Sequence, residues 1–103
     1  LINVPIAQLS NQSFSARLEN ARYNFTIKEA RGIMVMDIIR NNVPIISGQR
    51  IVAGRGIIPY QYLENGNFVI LTENDEIPYY TNFNDSQFLY YFTTMELSEL
   101  RAE

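Results

Sequence analysis

The 103 residues of this chain include no histidine and no cysteine, which leaves few side chains able to do chemistry. Histidine is the usual general base near neutral pH, and thiolates are common zinc ligands. What remains is serine, carboxylate, tyrosine and one lysine. The serines (Ser10, Ser13, Ser15, Ser47, Ser86 and Ser98) need a base, and Lys28 sits in a strand pattern with outward parity. Thr72-Glu73-Asn74-Asp75-Glu76 is the one acidic cluster. Carboxylates at this density could bind calcium or split a glycosidic bond, but the spacing is not that of an EF-hand loop. A solvated turn accounts for it on the turn preferences of Asn and Asp. Gly54-Arg55-Gly56 opens no dinucleotide or phosphate-loop motif, so Arg50 and Arg55 would have to hold a phosphate alone. No catalytic residue, metal ligand or cofactor is expected, and the chain reads as a non-enzyme.

Tyrosine is the residue type left with a role to find. Seven tyrosines and six phenylalanines occur, concentrated in the second half. Tyr60, Tyr62, Tyr79 and Tyr80, with Phe83, stand in two short segments and are the candidates for a protein interface, where tyrosine offers area with a polar tip. Tyr60, Tyr62, Tyr79, Tyr80, Tyr90 and Tyr91 could instead form a platform that stacks on sugars or unpaired bases, or simply pack within strands. A nucleic-acid site would add a basic groove, whereas the tyrosine-rich half is acidic.

The elements that must position these rings are strands. Phe14 to Leu18 and Tyr23 to Lys28 alternate apolar and polar residues around Glu19-Asn20, which predicts a hairpin over residues 12–29. Arg31-Gly32 and Asn41-Asn42 are further turns. Ile33 to Arg40 is apolar on both faces, as in a strand covered on two sides, and Asp37 within it needs a partner. Pro44 favours an edge strand, and residues 48–57 read as a bent or bulged strand and a loop. Asn65-Gly66 signals a hairpin turn ahead of the strand Phe68 to Thr72. Ile77-Pro78-Tyr79 echoes Ile58-Pro59-Tyr60, and Gln87-Phe88 echoes Asn67-Phe68, a repeated hairpin style. Thr93-Thr94-Met95-Glu96 has the form of a capping box, which predicts a short helix to about Leu100, docked through Met95, Leu97 or Leu100.

The whole therefore predicts one all-β domain over residues 1–103. The expected fold is a small antiparallel β-barrel or sandwich of about seven short strands with a short C-terminal helix. The expected core includes Phe14, Leu18, Phe25, Ile27, Val35, Phe68, Ile70, Leu89 and Tyr91. No apolar run approaches the roughly 18 residues that span a bilayer, and Leu1 to Ile6 lacks the basic leader of a secretion signal, so a soluble chain without membrane partners is expected. Net charge is −3, unevenly placed. Residues 1–55 hold seven basic and three acidic side chains, a net +4, and residues 56–103 hold one against eight, a net −7. Such asymmetry could steer partners or orient copies head to tail. The simpler expectation is that strands of both halves interleave and mix the charges.

Order and spacing carry one further reading. The motifs run Asn11-Gln12-Ser13-Phe14, Tyr23 and Phe25, Ile58-Pro59-Tyr60 to Tyr62-Leu63-Glu64, and Gly66-Asn67-Phe68. Thr72-Glu73, Pro78-Tyr79-Tyr80 with Phe83, and Leu89-Tyr90-Tyr91 before Glu96-Leu97 follow. From about Ile2 to Leu97 this resembles the small plug proteins of contractile-tailed phage baseplates, first named in a cyanophage. The resemblance implies a structural virion protein of the tail baseplate, assembled in the bacterial host cytoplasm. Its partners would be hub, spike and tube-type subunits and further copies of itself, with no nucleic acid. It supplies no catalytic residues. The alternative from a different class is a small carbohydrate-binding β module using surface tyrosines.

Overall fold

A computed structural model of the chain describes residues 1–74 and 76–101, with the side chain of Tyr62 outside that description. Seven strands form two antiparallel sheets. The larger sheet is a meander of β2 (Asn11–Leu18), β3 (Ala21–Ala30), β4 (Ile33–Arg40) and β5 (Val43–Arg50), in that order. The smaller one orders β1 (Ile2–Val4), β7 (Gln87–Phe92) and β6 (Asn67–Thr72). A single helix, α1 (Thr94–Arg101), closes the described chain. The two sheets pack as a sandwich; the barrel half of the expectation is not realised, because β2 and β5 do not pair and the larger sheet stays open.

Three tight turns build the larger sheet. Glu19-Asn20, Arg31-Gly32 and Asn41-Asn42 all have positive φ, with values of 47° and 63°, 53° and 85°, and 49° and 67°. Paired positive φ values give the turn twist that matches a right-twisted hairpin, and Asn and Gly reach them at least cost. Each two-residue turn also sets the register. With Ala30 facing Ile33, Ile27 faces Met36 and Phe25 faces Ile38, so Met34, Met36 and Ile38 enter the core. Val35 faces Lys28 and therefore points outward, half-buried, contrary to the expected core position. Asp37 finds its partners on that same outer side: Gly48 N–H donates to it at 2.6 Å, and Lys28 Nζ lies 3.9 Å away. The register slips in β5 beyond Met36, which supplies the expected bulge, and Pro44 lies on this edge strand.

The core between the sheets is aromatic. Phe25 and Phe68 meet edge to face at 5.0 Å, as do Tyr23 and Phe68 at 5.3 Å, and Phe68 and Tyr91 meet at a tilt at 5.0 Å. Such pairs add about 0.5–1.5 kcal/mol each beyond the area they bury. Leu18, Ile27, Ile70 and Leu89 are buried as expected, while Phe14 is half-buried, stacked on Phe25 at 5.0 Å from edge strand β2. The outer edge of β6 is covered by residues 54–57, where Gly54 N–H donates to Ile70 O and Ile57 N–H to Phe68 O. Residues 57–63 thus make no hairpin strand; a 3-10 turn, Gln61–Leu63, stands in its place.

The capping box is present: Thr93 Oγ1 accepts from Glu96 N–H, and Glu96 Oε1 accepts from Thr93 N–H at 2.9 Å. The helix docks differently from expectation. Met95 and Leu100 are 71 % and 60 % exposed, and only Leu97 is half-buried. Polar ties hold it instead: Glu19 accepts from Thr94 N–H, Glu64 pairs with Arg101 at 2.7 Å, and Glu96 pairs with the Leu1 ammonium. The ammonium, followed by the Thr93 N–H, holds the Glu96 carboxyl below its ordinary range.

Apart from β1 and the segment through residues 54–57 at the β6 edge, the halves of the chain do not interleave. Residues 11–50 make the larger sheet with Arg17, Arg22, Lys28, Arg31, Arg40 and Arg50 against three carboxylates. Apart from three-residue β1, the smaller sheet comes from the acidic half. The charge asymmetry is therefore spatial, and the expectation of mixing is overturned.

Candidate protein interface

The candidate rings sit on two segments built to the same plan. Each begins Ile-Pro-Tyr, enters a 3-10 turn (Gln61–Leu63 or Tyr80–Asn82) and returns to a strand whose first residue is a buried carboxamide. Asn67 opens β6. Its Oδ1 accepts from Ile58 N–H at 3.0 Å, and its Nδ2 donates to Ile58 O at 3.0 Å. Gln87 opens β7. Its Oε1 accepts from Tyr79 N–H and its Nε2 donates to Ile77 O, both at 2.9 Å. A buried amide offers both a donor and an acceptor, so it satisfies the backbone of a segment that no strand pairs with. The echo in the sequence is thus a repeated device for fastening the tyrosine-bearing segments to the smaller sheet.

Glycine completes the first segment. Gly66 has φ 88°, and a Cβ there would stand 2.1 Å from the Tyr91 hydroxyl, so no larger residue fits. The neighbouring Asn65 carbonyl receives the Tyr23 and Tyr91 hydroxyls at 3.0 and 2.8 Å. The Tyr91 hydroxyl also lies 2.7 Å from Glu19 Oε1. Burial first, then the hydrogen bond to Glu19, push its ionisation far above the ordinary tyrosine value.

The candidates themselves separate by exposure. Tyr60 is 56 % exposed. Tyr79 and Tyr80 are half-buried, pack against the core and touch each other with centroids 4.8 Å apart. Desolvation, followed by the nearby Glu29 charge, raises the Tyr79 ionisation. The side chain of Tyr62 lies outside the described residues, as does Asp75 of the acidic turn. Phe83 is corrected: it is fully buried and offers no surface to a partner. Gln8 Nε2 donates to its carbonyl and Asn84 Nδ2 to Ile6 O, which draws the N-terminal segment over residues 83–84 and leaves the ring inside.

The sequence matches the family model of the cyanophage baseplate Pam3 plug gp18 over residues 1–94. The chain belongs to this family. Among curated proteins, none matches it in sequence. The match takes in both sheets, both Ile-Pro-Tyr segments and Thr93, and stops at the first residue of α1. A baseplate plug family places the chain among phage structural proteins, in line with its β-rich fold.

What the tyrosine segments did not reveal is the outward side of the two sheets. Val69, Leu71, Phe88 and Tyr90 all face away from the core, as do Ile33, Val35 and Ile39. The signal was in the sequence, since β4, β6 and β7 are apolar at odd and even positions alike.

Proposed function

We propose that this chain is a non-catalytic structural component of a contractile phage tail, a plug-like protein that assembles by protein contacts near the hub and tube. The observation that carries the reading is the family match over residues 1–94. The rest of the molecule supports it. The carboxamide-fastened segments hold Tyr60 and the Tyr79–Tyr80 pair at the surface on a rigid base, which suits a contact made repeatedly with one geometry. Tyr60, Tyr62, Tyr79 and Tyr80 are the contact residues of this reading. Copies of the chain and hub, spike or tube-type subunits are its partners, and the virion baseplate is its location.

Quantitative mass spectrometry of purified tail particles tests it. A fixed, low copy number relative to the tube protein is expected; absence from intact particles would overturn the reading. Tyr60→Ala should reduce incorporation into particles while the chain still folds, as read by circular dichroism. Tyr79→Ala with Tyr80→Ala should also reduce incorporation, at some cost in stability because both rings touch the core. Normal incorporation of these variants would remove the tyrosine segments from the interface.

A further inference from the structure

A strand apolar on both faces belongs in a sheet covered on both sides, and a two-layer sandwich covers only one. This molecule has such strands in both sheets, so each has an outer apolar surface that no described residue of the chain buries fully. On the smaller sheet, Val69 faces Tyr90 and Leu71 faces Phe88 across the β6–β7 ladder, all on the outer side. Leu71 is 42 % exposed. On the larger sheet, Ile33, Val35 and Ile39 form the apolar part of the outer stripe of β4, with Asp37, held by the Gly48 N–H and Lys28, between Val35 and Ile39.

The charges bordering these two surfaces are opposite. Beyond Leu71 the chain continues to Glu73, whose N–H donates to Ser86 O, and Ser86 Oγ donates to Glu76 at 2.7 Å. Beyond Phe92, Glu96 and Glu99 line the groove at the other end. The smaller sheet's outer face thus has carboxylates at both ends. On the larger sheet, Val35 stands in register between Lys28 and Arg50, and Arg17 faces Arg22 near the hairpin turn. Neither of these two arginines has a carboxylate partner among the described residues. Like charges directly opposed across a ladder are unfavourable unless an anion relieves them.

We infer that the two outer faces dock on each other between copies of this chain: the basic-rimmed β4 stripe of one copy covers the acid-bounded β6–β7 face of the next. This deepens, and rests on, the reading of the chain as a self-assembling plug. Each face belongs to a slab 33 by 32 Å across and 20 Å thick, ample for the roughly 800 Å² per partner of a stable contact. A front-to-back contact of unlike surfaces is heterologous, so it closes into a ring where the rotation per copy allows and otherwise stacks. An isologous pairing would set Arg17, Arg22 and Arg50 of one copy against those of another, or carboxylates against carboxylates.

Sedimentation velocity of the purified chain, with two variants, tests this. The wild type should associate beyond the dimer as concentration rises. Val35→Asp and Leu71→Asp each replace a half-buried or exposed residue with a carboxylate that the contact would desolvate. Each alone should weaken association by roughly a hundredfold. Mixed in equal amounts, they should form a one-to-one dimer and nothing larger, since each variant keeps one intact face. Arg50→Glu and Glu73→Lys, at exposed positions, should each weaken association alone and restore it when mixed, because the swapped charges then meet, and they serve if either aspartate variant proves unfolded by circular dichroism. A wild type that stays monomeric at millimolar concentration, or a variant that associates as the wild type does, overturns the inference. A monomeric chain still found at fixed copy number in tail particles overturns the copy-to-copy contact alone; a self-associating chain missing from particles overturns the baseplate reading and leaves the contact standing.

Discussion

Replacing Tyr91 with phenylalanine removes one hydroxyl that lies within hydrogen-bonding distance of both the Asn65 carbonyl and the Glu19 carboxylate. At neutral pH this should cost about 1 kcal/mol in urea denaturation, the net worth of an ordinary hydrogen bond. The pH profile carries the sharper test. The folded-state ionisation of Tyr91 lies above its ordinary value of 10.0. Its contribution is therefore complete below about pH 10, and declines above it as the unfolded chain releases a proton that the folded chain keeps. The wild type should lose stability more steeply above about pH 10 than Tyr91→Phe does. Equal slopes would mean that the hydroxyl is not held in its protonated form by the fold. Glu19 and Asn65 were legible as turn residues in the sequence. Their joint use by Tyr91, 72 residues from Glu19 and 26 from Asn65, was not, because a hydrogen-bond partner is set by packing and not by spacing.

At the scale of the element, the two Ile-Pro-Tyr segments are irregular backbone that no neighbouring strand satisfies along its length. Asn67 and Gln87 do that work, one amide for each segment. Asn67→Ala should destabilise by about 2 kcal/mol or more, since it leaves the buried Ile58 N–H and carbonyl without partners, and Gln87→Ala by less, since the Tyr79 N–H and the Ile77 carbonyl are only part-buried. Hydrogen exchange distinguishes the two clamps: Asn67→Ala should speed exchange at the Ile58 N–H, and Gln87→Ala at the Tyr79 N–H. Matching acceleration at both sites in both variants would show one cooperative unit in place of two separate clamps. Strand existence was readable here from alternation and from the Asn and Gly turns, as the meander β2 to β5 demonstrates. The Asn65-Gly66 signal misled for residues 57–63. Gly66 is required there by its φ and by the Tyr91 hydroxyl against it, and both demands arise outside a hairpin.

Across the whole molecule, the partition of charge between the sheets gives salt a defined effect. Contacts between a basic-rimmed and an acid-bounded face are screened as ionic strength rises, while their apolar centres are not. Self-association should therefore weaken by roughly tenfold between about 0.05 and 0.5 M sodium chloride, and persist in part at the higher salt. Association that strengthens with salt throughout would point to a purely apolar contact and remove the charges from the account.

Composition and period alone determined that the chain is built of short antiparallel strands, and the order of its motifs placed it with the baseplate plugs. Local rules suffice for that: alternation reports one wet face, Asn and Gly report turns, and Thr-x-x-Glu reports a helix start. The tertiary structure decided which face each apolar residue uses. Val35 turned outward because a two-residue turn at Arg31-Gly32 sets the parity of β4, and Phe83 turned inward because the N-terminal segment is tied across residues 83–84. The sequence likewise held the charge asymmetry but not its direction in space. That depended on sheet order, which follows from how two apolar surfaces meet and not from any local spacing.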